Sequence, residues 1–141
     1  PKECVLKNSV PFFLHVPHIY QQQLPGLVYD PKRVGSHKDI MPTLYALSLS
    51  DTPYYRRGVN LLAKNVNSPW YFAYNEEIGL TEEGAYQLTG QPAFYPWRDG
   101  TGLMVLTGGN LDSKHRTELD RIMSYKSLLS WQLNRQVNRQ P

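Results

Sequence analysis

The feature that constrains this chain most lies in its last third, where Leu119, Ile122, Tyr125, Leu129, Leu133 and Val137 recur at intervals of three and four. Side chains at that spacing share one face of a helix and require another layer to cover them. Gly108–Gly109–Asn110 interrupts the chain just before this segment, and Asp112 or Ser113 is suited to cap its first turn. The expectation is a C-terminal amphipathic helix laid across a sheet.

The residues upstream supply that sheet. PWYFAY (Pro69–Tyr74), IGLT (Ile78–Thr81), GAYQLT (Gly84–Thr89) and GLMVLT (Gly102–Thr107) are short and strand-like. Asn75–Glu77 and Glu82–Glu83 read as hairpin connections, and GQPAFYPWRDGTG as a longer loop. A three- to four-stranded antiparallel meander follows.

The first half has a different texture. VPFFLHVP (Val10–Pro17) is continuously apolar and too short for a good helix, which predicts a strand covered on both faces, as in parallel sheets flanked by helices. After a connection from Gln21 to Gly35, Ile40, Leu44 and Leu47, with Met41 beside them, repeat at helical spacing. Asp39 stands at the N-cap position of that helix, and its replacement by Ala is expected to cost about 1 kcal/mol. Pro42 falls early enough to be tolerated. The fold class expected is α/β in origin and α+β over this chain: one parallel-sheet strand and a helix, then the antiparallel sheet with its terminal helix. Residues 1–63 would form the edge of an α/β domain and residues 64–141 the antiparallel subdomain.

Composition narrows the function classes. A chain of 141 residues is one domain or a large piece of one, and 40% hydrophobic against 19% charged residues excludes a disordered tail. The net charge of +3 comes without a basic stripe, so nucleic acid is not expected as a partner. Cys4 is the only cysteine, which excludes an intrachain disulfide and any metal site built on paired cysteines. No stretch approaches the roughly 20 apolar residues of a membrane span, and the first residues do not read as a signal peptide. The chain starts without methionine and runs at once into the apolar segment Val10–Val16. We therefore expect a soluble C-terminal portion of a longer protein, whose open strand edge would make the isolated piece self-associate.

The chemistry-bearing residues form no complete catalytic set. His15 and His18 stand at the carboxyl end of the expected strand, where α/β sheets collect ligands. His37 precedes the helix cap in GSHKDIMPTL, where a turn and a helix N-terminus can face an anion. These three are the candidate substrate-pocket residues, whereas His115 reads as part of a solvated face. Glu76–Glu77 and Glu82–Glu83 are adjacent in sequence and point apart, so neither pair suits glycoside chemistry. No nucleophile elbow, P-loop or HExxH pattern occurs. The aromatic clusters Tyr54–Tyr55, Trp70–Tyr71–Phe72 and Phe94–Tyr95–Pro96–Trp97 read as sheet packing, with stacking on sugars as the rival use.

VPFFLHVP, then GSHKDIMPTLYAL, then RRGVNLL together resemble the downstream part of the sulfatase and alkaline-phosphatase-like superfamily. That family carries an apolar strand between two Val-Pro pairs, an H-x-D-[apolar]-x-PTL helix start and a G-x-[ND]-LL segment. The likeness spans about Val10 to Leu62 and is nearest to the membrane-anchored lipoteichoic acid synthase branch of phosphoglycerol and phosphoethanolamine transferases. It departs from the pattern at His18, which follows Pro17 where the family often has glycine. The resemblance implies a parent enzyme of the bacterial envelope, periplasmic or on the outer face of the inner membrane. There a threonine, serine or modified cysteine attacks a phosphate or sulfate ester on a divalent metal (Mn, Mg, Zn or Ca) held partly by an Asp–His pair. Those motifs do not occur in this chain, so the resemblance implies no catalytic residue and no metal ligand here. Its partners would be the remainder of the catalytic domain and, in the parent, an envelope phospholipid, glycan or ester substrate. The rival readings are a non-enzymatic module binding glycans or lipid headgroups, and an inactive regulator from the same superfamily.

Overall fold

Turn-forming residues set the meander where the sequence puts them. In the computed structural model, which describes residues 12–23, 26–30, 33–48, 57–97 and 111–137, four strands pair antiparallel in the order β1-β2-β3-β4. They are β1 (Ala73–Tyr74), β2 (Ile78–Leu80), β3 (Gly84–Gln87) and β4 (Ala93–Pro96). The Asn75 carboxamide oxygen accepts the N–H groups of Glu77 and Ile78, both at 2.8 Å, and closes the first turn. Thr81 N–H donates to the Gly84 carbonyl and closes the second. Past β3, Gly90 adopts φ +69°, a left-handed conformation that glycine takes without steric cost.

Two strand expectations change. PWYFAY contributes only its last two residues to the sheet, and GQPAFYPWRDGTG is not simply a loop, because its AFYP segment is β4. The pattern inside that segment explains it: Phe94 faces one side of the sheet while Tyr95 and Trp97 face the other. The expected strand Gly102–Thr107 lies outside the described residues.

The terminal helix, α3 (Ser113–Val137), forms as expected. Asp112 is its cap, accepting the His115 N–H at 2.8 Å. Leu119, Ile122 and Tyr125 are buried against Phe72, Tyr86, Leu88 and Phe94, with Leu129 partly buried at the edge. Tyr74, Gly79, Tyr86 and Phe94 are successive partners across the four strands, so one sheet face meets the helix. The approach is close: a Cβ added at Gly79 would stand 2.8 Å from Cδ1 of Ile122. Burying an isoleucine such as Ile122 completely contributes about 1.5–3 kcal/mol. Ile78 and Ala85 are buried on the opposite face with Leu80, Tyr95 and Trp97 around them.

The first half holds two short helices, α1 (His18–Gln23), which the sequence reading left in or near a connection, and α2 (Ile40–Leu47), which it anticipated. A 3-10 turn, His37–Asp39, leads into α2. The buried strand expected over Val10–Pro17 is not formed among the described residues: 12–17 belong to no strand, and Phe13 is 89% exposed. Val10 and Pro11 lie outside the described residues. A strand needs a partner to satisfy its backbone groups, and residues 12–17 pair with neither outer strand of the meander. The two halves touch across the expected boundary at residue 63. The Tyr125 hydroxyl donates to the Arg57 carbonyl at 3.2 Å, and the Lys38 ammonium stands 5.0 Å from the centre of the Phe72 ring.

Candidate functional site

The most organised polar cluster in the chain is built on the 3-10 turn. Asp39 is fully buried, and its carboxylate accepts hydrogen bonds from the Ser36 N–H (2.9 Å), the Val59 N–H (2.9 Å) and the Lys38 ammonium (2.7 and 2.9 Å). It therefore does not cap α2 with its side chain, as the sequence reading expected, although it occupies the N-cap position. The carboxylate reaches backward and sideways instead, because a buried charge has to be neutralised and the nearest cation is its neighbour Lys38. Burial pushes the Lys38 ammonium below the ordinary lysine range, and Asp39 opposes that shift.

One helical turn further on, Thr43 repeats the device. Its hydroxyl donates to the Asp39 carbonyl at 2.7 Å and accepts the Leu61 N–H at 2.9 Å. The spacing is a match of two periods: a helical turn rises about 5.4 Å, and two extended residues rise roughly 6.6 Å. Asp39 and Thr43 thus reach the N–H groups of residues 59 and 61 on one edge of the facing segment. Arg33 completes the clasp, donating to the carbonyls of Leu61 (2.8 Å) and Ala63 (2.5 Å). Gly58 is required by the close approach, since a Cβ there would lie 2.1 Å from the Lys38 carbonyl oxygen.

His37 sits at the head of this turn and is exposed, while Lys38 next to it points inward. The Ser36 N–H to Asp39 carboxylate bond and the Asp39 N–H to Ser36 carbonyl bond (2.9 Å) bracket His37 on both sides. An imidazole presented in this way can donate to or accept from an external polar group without rearranging its backbone. His15 and His18 are also exposed, His15 in the extended stretch and His18 at the first residue of α1. Among the described residues, no three His, Cys, Asp or Glu side chains are grouped so as to hold a metal ion. Asp39, the buried carboxylate, has its oxygens engaged by an ammonium and two N–H groups. These residues do not fit a divalent cation.

His115 departs from its expected place on a solvated face. Its ring stacks on Phe94 at 3.9 Å between centroids, and Nδ1 lies 2.9 Å from the Asp112 carboxylate. The early helix position hid this, because packing at the end of β4 is what covers the ring. Asp112 is held below the usual carboxylate range, chiefly by the His115 N–H. The aromatic clusters of the sheet serve the core: Trp70, Phe72 and Tyr74 ring Tyr125 at 5.2–5.5 Å, and the Trp97 indole N–H donates to the Thr81 carbonyl at 2.8 Å, while Tyr54–Tyr55 lies outside the described residues. Sequence reasoning missed Lys38, Thr43 and Arg33 as members of the clasp. The signal available was the four-residue spacing of Asp39 and Thr43, which puts both on one helix face.

Comparison with known protein families, curated proteins and solved structures finds no match to this chain.

Proposed function

We propose that this chain is the C-terminal portion of a metal-dependent ester hydrolase or phosphoglycerol or phosphoethanolamine transferase of the bacterial envelope, of the sulfatase and alkaline-phosphatase-like kind. It supplies a wall of the catalytic domain and not the metal centre. The observation that carries this reading is the number of uncovered apolar side chains in the stretch of sequence that leads into the clasp: Phe12, Phe13, Ile19, Tyr20, Tyr29, Met41 and Leu44 are all exposed. Monomeric soluble proteins seldom leave so many large apolar side chains together in one stretch of sequence without a partner surface. In this reading the remainder of the domain covers them, and the segment Val10–Pro17 pairs as a strand with that remainder. The clasp supports the same reading, because it joins the HKDIMPTL and GVNLL segments that carry the family resemblance. His37, held beside that joint, is the residue we assign to the rim of the substrate pocket, with His15 and His18 on the same side of the parent domain.

The test uses aryl phosphate and aryl sulfate esters with Mn²⁺, Mg²⁺ or Zn²⁺. The chain alone is expected to turn over neither, whereas the chain joined to the polypeptide encoded upstream of it is expected to show metal-dependent turnover. Metal-dependent turnover by the chain alone, or an upstream polypeptide without an Asp–His pair, overturns the proposal.

A further inference from the structure

The far end of α3 is the second place where apolar side chains meet solvent. Leu129 is the last helix residue packed against the sheet core, and five of the six residues from Ser130 to Arg135 are exposed. Leu128, Trp131 and Arg135 follow one another at intervals of three and four and form a stripe away from the buried face. Trp131 is 52% exposed, with the Arg135 guanidinium 4.8 Å from its ring centre, and Leu133 is 61% exposed where the buried stripe runs beyond the sheet.

Charge distinguishes this end from the rest of the helix. No Asp or Glu follows Asp120 in the sequence, while Arg121, Lys126, Arg135 and Arg139 do. Arg121 and Lys126 answer Glu118 and Glu76 in ion pairs, so the cationic excess falls on the segment after Leu128. A protein partner with an acidic groove and an anionic lipid surface both complement such a segment. The combination of Leu128, Trp131 and Arg135 on one uncovered helix stripe favours lipid, since an indole and a guanidinium both settle at the headgroup level with the leucine just beneath. No described helix is long and apolar enough to cross a membrane, so α3 would lie on the surface and not span it.

We infer that the end of α3, centred on Leu128, Trp131 and Arg135, docks onto an anionic phospholipid surface. The inference uses α3 alone and does not depend on the function proposed above. It is tested with the full 141-residue chain and vesicles of phosphatidylglycerol or of phosphatidylcholine, by co-sedimentation and tryptophan emission. Binding to phosphatidylglycerol, a blue shift that disappears in Trp131→Phe, and release at about 0.5 M salt are the expected results. Arg135→Glu should weaken binding roughly 30-fold, from two units of charge at a negative surface. Both substitutions are on exposed positions, and circular dichroism verifies that each variant is folded. Failure to bind phosphatidylglycerol, equal binding to phosphatidylcholine, or unaltered binding by Trp131→Glu each overturns the inference. So does a Trp131 emission shift that follows protein concentration without vesicles, since a second copy would then be the occupant.

Discussion

The sheet with α3 and the stretch from Phe12 to Ser48 are built from equally apolar sequence, yet they solve the burial problem differently. In the sheet region Phe72, Tyr86 and Ile122 are fully buried, because consecutive strands and the helix that follows them cover one another. In the earlier stretch the fully buried residues are Asp39 and Thr43, while Phe13 and Tyr29 are 89% and 82% exposed. One region is held by packing and the other by hydrogen bonds to main chain. The lesson is that contacts between neighbouring elements suffice for the first, whereas the second leaves several large apolar side chains exposed among the described residues.

This contrast predicts which substitutions matter, and the largest effect belongs to the clasp. Asp39→Ala strips Lys38 of its buried partner and leaves the Ser36 and Val59 N–H groups without an acceptor. The expected loss is about 3–5 kcal/mol, well above the cost of a helix cap alone, and urea denaturation measures it. A loss near 1 kcal/mol would mean that the carboxylate acts only as a cap.

Ile122→Ala removes the centre of the packed region and is expected to cost about 2–5 kcal/mol, followed by the same denaturation. A smaller loss would show that α3 is loosely seated and would blur the distinction between the regions.

The next effect appears in alkali. Burial pushes the hydroxyls of Tyr86 and Tyr125 up to about 12 from an ordinary 10.0, with neighbouring Glu118 and Tyr74 as the next causes. Tyr71 rises to about 12 through burial and its bond to Glu82. Between these values the unfolded chain has released protons that the folded chain retains. The stabilisation is therefore complete below pH 10 and lost as pH climbs toward about 12. Lys38 has the opposite sign: lowered by burial, it makes the fold gain as pH approaches 10.5. Denaturation midpoints across this range should hold or rise slightly, then fall, and Tyr125→Phe should make the fall shallower.

The smallest effect on stability is expected where exposure is greatest. Phe13→Ser and Tyr29→Ser should change stability by no more than about 0.5 kcal/mol, while reducing self-association in light scattering. A strict monomer at high concentration before substitution would remove the case for an uncovered face.

The elements that were legible in advance are those whose signal is local. The stripe in α3, the Asn75 turn and the short strand-like run of β3 each declare themselves within a few residues. Val10–Pro17 was misleading for a physical reason: its apolarity specifies burial but not by what, and the described residues 12–17 pair with neither outer strand of the meander, β1 or β4. β4 was hidden because Pro92 and Pro96 read as loop punctuation, although Phe94 and Tyr95 alternate between them. At the candidate site, His37 was legible as the residue before a helix start. The inward turn of Lys38 and the reach of Asp39 to Val59 were not, because they depend on a segment twenty residues away. The clasp joins HKDIMPTL to GVNLL through Asp39 and Thr43, a pairing of two short segments that neither declares on its own.

The clasp grips its target by the peptide groups and ignores the ornaments attached to them. Leu61, which is only partly buried, could therefore be exchanged for many other residues without loosening the joint, whereas Val59 is itself buried and admits only apolar residues of similar size. A proline at either position would open it, since it removes the hydrogen that Asp39 or Thr43 receives. Tolerance in that segment is decided by an amide proton at both positions and by the space around residue 59, so a library randomised there should return no proline at either position and few charged residues at 59.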